Sequence, residues 1–215
     1  MNKGVCYNGK CPIFRLVDKS PRNGRSGNLE CLARLPWEEE LMQKICGVDR
    51  EDFVRVSEEV LSRYLMMPDN PRPERVGAYL SVFDKNQQKM LLVIELGSCK
   101  PEMAERWFHY SLEKVDRLWN NRSKGHITSW QSRDQGTYKF GGAITAPDDS
   151  KGLKEGHRLI GSLAGLTDHS EEAILLIIWM KFQWLTLEDA NKIARISGNR
   201  LFHPLLKNCN DLFDQ

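Results

Sequence analysis

Residues 171–185, EEAILLIIWMKFQWL, are apolar on nearly every side of a helix. A helix at a protein surface keeps a polar stripe toward water, so one without such a stripe has to be enclosed. Its longest unbroken apolar run, Ala173–Met180, is eight residues, against about 20 for a membrane span. The enclosure is therefore expected to be protein, with no membrane partner. It requires a sheet on one side and at least one more helix on the other.

The remaining sequence supplies those layers. In DREDFVRVSEEVLSRYL, Phe53, Val56, Val60, Leu61 and Tyr64 recur at helical spacing, with Asp49 as cap candidate, and the three prolines of PDNPRPE (68–74) end the helix. VGAYLSVFD (76–84) and KMLLVIELG (89–97) read as strands joined by the turn KNQQ. The second strand is almost wholly apolar and is expected in the sheet interior. Pro101 sits at a favoured first-turn position, and Ala104, Trp107, Phe108, Leu112, Val115, Leu118 and Trp119 then mark a long amphipathic helix. HITSWQSR (126–133) reads as an edge strand, and KFGGAITAP (139–147) and HRLIGSLAGL (157–166) as two further strands.

Asp168 is expected to cap the enclosed helix, with Glu171 reaching back three positions later. LEDANKIARIS follows Thr186, has Asp189 at the capping spacing and stops at Gly198. A short helix is expected over WEEELMQKIC (37–46), and the apolar tail LFHPLLKNCNDLF docks without an assignable structure. Hairpin-linked strands with helices between them make an α+β domain over 49–185. A basic arm and short helix (1–48) precede it, and a C-terminal helical extension (186–215) follows.

A net charge of +2 argues against a strong global field toward nucleic acid or membrane. It conceals an asymmetry, because Lys3, Lys10, Arg15, Lys19, Arg22 and Arg25 face only Asp18 within residues 1–28. Such an arm has charge enough to hold RNA phosphates or an acidic protein. No aromatic residues recur along it at a base-stacking spacing, so a solvated arm is the plainer reading. The polar opening MNKGVCYNGK lacks a signal-peptide core, which makes a cytoplasmic protein with reduced thiols the expectation.

Chemical motifs are scarce. GSLAGLTD has neither the lysine nor the spacing of a phosphate loop, and G-x-G-x-x-G and G-x-S-x-G are both absent. Cys6 and Cys11, in CYNGKC, form one metal-like pair; Cys31 and Cys46 do not supply the second pair that a structural zinc site uses. The histidines fall in no metal-ligand spacing. His109 neighbours Trp107 in the long helix, whereas His126 and His169 stand at element boundaries where side chains line pockets. Trp130 lies in a polar stretch, as a residue stacking on a flat ligand would, or one covering the core from an edge strand. No paired carboxylates or activated nucleophile can be assigned, which places an enzyme below a binding protein.

The succession VGAYLSVFD–KMLLVIELG, AERWFHYSLEKVDRLWNN, GHITSW, YKFGGAIT and LIGSLAGLTDHSEEAIL resembles the GlcG/HbpS-like haem-binding family, which includes the C-terminal domain of PduO-type proteins. The likeness covers about residues 51–181 and is nearest to a bacterial and fungal branch of unassigned function. It implies an α/β/α sandwich around a mainly antiparallel, roughly five-stranded sheet, homo-oligomers, and a pocket for haem or another tetrapyrrole. Gly141 and Gly142 match the family's paired glycines, Gly165 and Leu166 its turn, and Glu171 and Glu172 the acidic start of its last helix. Ala164 stands where the family usually has serine, and the helix 51–65 holds no histidine. The expected site is thus a pocket between the 101–120 helix and the sheet, lined by Trp107, His109, His126, Trp130, Gly141, Gly142 and His169. The expected function is non-enzymatic binding of a small molecule. The alternative is a scaffold protein recruiting RNA or an acidic protein through the arm.

Overall fold

The computed structural model describes residues 44–214. It opens on a two-residue hairpin, β1 (Lys44–Ile45) with β2 (Val48–Asp49), turned through Cys46 and Gly47 at φ 51° and 83°. The helix expected over 37–46 therefore does not continue through Ile45; its earlier residues lie outside the described part. Asp49 accepts the Glu51 amide and starts α1 (Arg50–Leu65), which buries the five apolar residues that its spacing selects.

The main sheet is antiparallel throughout, in the order β4 (Lys89–Gly97), β3 (Gly77–Asp84), β6 (Leu159–Ala164), β5 (Ala143–Thr145). It has four strands where five were expected. The segment expected as an extra edge strand makes one bridge, Thr128 to Ile144, and then coils into a 3-10 turn over Ser129–Ser132. The Thr128 side chain and Gln131 cap that turn reciprocally, so its backbone donors are satisfied locally instead of by a ladder. β4 lies at the edge, contrary to its apolar appearance. Leu92 and Leu96 join the core shared with α1 while Met90 packs on the opposite face, so its apolarity reflects two covered faces, not two paired edges.

The sheet is the middle layer of a sandwich. Ala78, Leu80 and Val82 of β3 face α1 and α4 (Asp168–Lys181), whereas Tyr79, Ser81 and Phe83 face α2 (Pro101–Asn120). A short turn of helix, α3 (Lys154–His157), precedes β6. α4 is buried from Ser170 through Trp179, as its composition requires. Behind it, α5 (Leu187–Ser197) and α6 (Phe202–Asn208) add Ile193, Phe202 and Leu205 to the same core. The C-terminal segment is thus built into the domain, and its tail is helical. Among the described residues, no helix is long and apolar enough to cross a membrane.

Candidate functional site

The paired glycines admit the protein's own side chains. Gly142 has φ 95°, and a Cβ there would run into Glu171 and the Lys114 ammonium. Lys114 reaches from α2 to Glu171 Oε2 at 2.5 Å and to the Leu163 carbonyl at 2.8 Å, and both side chains are buried. Glu171 Oε1 accepts the Gly165 and Leu166 amides at 2.8 and 3.0 Å. Glu171 does reach back, but to the turn before the helix; the cap itself is Thr167, and Asp168 instead pairs with Arg133 at 2.7 Å. One turn along α2, buried Arg117 donates to the carbonyls of Ser129 and Phe140. The space expected as a pocket between α2 and the sheet is occupied here by an ion pair and its hydrogen bonds.

Trp130, Gly141 and His169 form a second packed group. The Trp130 ring stacks on His169 at 4.4 Å and 17°, has the Arg133 guanidinium 4.4 Å from its centroid, and lies against Gly141. His169 Nε2 is 3.0 Å from the Ser197 carbonyl oxygen. The indole surface that a flat ligand would use is thus shared with protein groups. Trp107 is buried with Cys99 and Ala164. His109 points outward on α2, 65 % exposed, with Glu105 at 3.9 Å.

His126 has a different neighbourhood. It lines an open cavity of about 750 Å³ at the β5 edge of the sheet. Leu118, Ile127, Ile160 and Ile196 give it apolar walls, and Lys85, Arg122, Gln131, Thr145, Asp148, Asp149 and Lys192 give it polar ones. The fold brings these together from separate elements: Lys85 just past β3, Thr145 closing β5, Leu118 and Arg122 around the end of α2, Lys192 and Ile196 one turn apart on α5. His126 Nδ1 is buried without a protein partner. Burial first, and the charge of Lys124 second, push its pKa below the usual imidazole value, favouring the neutral ring. The expected residues thus separate: His126 is on this cavity, Trp130, Gly141 and His169 pack together, Gly142 covers the ion pair, and Trp107 and His109 stand elsewhere on α2.

Lys85, Gln131 and Thr145 carry no motif that could have marked them in the sequence. They become neighbours only when β3, β5 and the 3-10 turn assemble. Of the cysteines, Cys6, Cys11 and Cys31 lie outside the described residues, as does the basic arm. Cys46 sits in the first hairpin, and Cys99 and Cys209 are buried thiols whose pKa values burial pushes up to about 12 and about 11. Among the described residues, no three His, Cys, Asp or Glu side chains are grouped to hold a metal ion. Compared with protein-family models, curated proteins and solved structures, the chain matches none of them.

Proposed function

We propose that the protein is a non-enzymatic small-ligand-binding module and that its ligand occupies the cavity beside His126. The observation that carries this reading is the cavity itself: apolar walls with a few convergent polar groups, at a volume of about 750 Å³ that suits a small organic molecule. Binding is favoured over catalysis by the state of the other groups. The Thr145 hydroxyl accepts from Lys85 and gives its own proton to the Leu159 carbonyl, and the Asp149 carboxylate pairs with Lys192, so both are engaged by protein groups.

The likeness to the GlcG/HbpS-like family puts a tetrapyrrole first among candidate ligands, with His126 as the imidazole on the cavity wall. The same likeness supplies the homo-oligomer that belongs to this proposal, and the polar opening of the sequence its cytoplasmic setting. Native mass spectrometry of the protein purified from its own cells tests the module. The expected result is an added small-molecule mass that Ile196→Trp, which narrows the cavity from the exposed side of α5, removes; a bare chain overturns the reading. Haemin titration then tests the tetrapyrrole. A Soret shift weakened by His126→Ala supports it, and no shift in the wild type excludes it.

A further inference from the structure

We infer that the cavity beside His126 selects small organic anions, with the negative group docked on the Lys85 ammonium and the Gln131 amide. This rests on the proposed ligand-binding role and adds the chemical class of the ligand. Lys85 emerges from the end of β3, is partly buried, and spends one hydrogen bond on the Thr145 hydroxyl at 3.0 Å. A lysine ammonium has three donors, and a buried charge is costly unless something of opposite sign meets it. Thr145 is neutral and already gives its own proton to the Leu159 carbonyl at 2.8 Å. Lys85 therefore retains donors and an uncompensated charge at the cavity wall.

The other charges on the wall do not cancel it. Lys192 and Asp149 neutralise each other at 3.2 Å. Arg122 stacks over Trp119 at 3.6 Å and keeps its charge, which leaves Lys85 and Arg122 against Asp148 alone. Burial outweighs the field of Asp148 and moves the Lys85 pKa below the ordinary lysine value, as expected of an ammonium without a close carboxylate. Gln131 contributes a second donor. Its Oε1 accepts the amides of Ile127 and Thr128 at 2.8 and 3.2 Å, which fixes the oxygen and leaves the NH₂ for a ligand. An ammonium and an amide NH₂ beside an apolar floor suit a carboxylate, sulfonate or phosphate attached to a hydrophobic body.

The test uses two fluorescent probes of one aromatic skeleton, anilinonaphthalene sulfonate, which is anionic, and N-phenylnaphthylamine, which is neutral. The wild type is expected to bind the sulfonate about tenfold more tightly than the amine, the size of one charge-assisted hydrogen bond. Lys85→Met is expected to abolish that preference while keeping the amine, and Lys85→Arg to retain much of it, with circular dichroism melting confirming that each variant folds. Equal affinities in the wild type, or a preference that Lys85→Met leaves intact, overturn the anion assignment and spare the module. Neither probe binding removes the inference together with the reading beneath it.

Discussion

Glu171 and Glu172 are neighbours in sequence and both are buried, yet only Glu171 meets a cation. Glu172 accepts hydrogen bonds from Thr128 at 2.7 Å, from Asn199 at 3.1 Å and from Ser197, all neutral donors. Burial outweighs them and raises its pKa above the ordinary 4.5. The sign of the linkage follows. Between the ordinary and the raised value the folded chain holds a proton that the unfolded chain has released, so this group's contribution to stability falls as pH rises through that window. Glu172→Gln removes the titration and keeps an acceptor. Urea midpoints measured across pH should show the variant gaining on the wild type from pH 4.5 upward; a difference that stays constant with pH means Glu172 does not titrate there.

At the scale of elements, α2 is held to the sheet by polar groups as much as by apolar ones. Trp107, Val115 and Leu118 were legible from spacing, but Ser111, Lys114 and Arg117 occupy the same buried face. Periodicity reports only hydrophobic residues, so a lysine at a core position reads as solvated until its partner is known. Lys114→Met strands the Glu171 carboxylate and should cost about 3–5 kcal/mol in denaturant unfolding. Adding Glu171→Gln should recover most of that loss; a double variant no more stable than the single one would show that the pair is not the element's main tie. The same limit explains the paired glycines. Their small size was visible in the sequence, but the side chains that fill the space, Trp130 against Gly141 and Glu171 against Gly142, come from residues 11 and 29 positions away.

For the molecule as a whole, the layers were readable and the site was not. The enclosed α4, the β3–β4 hairpin and the caps of α1 and α5 depend on local pattern, and the structure has them where the pattern puts them, except that α4 ends at Lys181 and not at Leu185. The edge position of β4, the loss of the 126–133 strand and the cavity at the β5 edge depend on which elements become neighbours, and no single stretch encodes that. Of the residues expected to line a pocket, His126 lines this cavity and the others do not. The central claim is that the ligand site lies at this sheet edge and not behind the glycines. Hydrogen exchange read by mass spectrometry, with and without anilinonaphthalene sulfonate or N-phenylnaphthylamine, tests it directly. The account predicts slower exchange over residues 122–131 and 145–149; protection confined to 107–114 and 141–142, or to the α5–α6 surface, would contradict it.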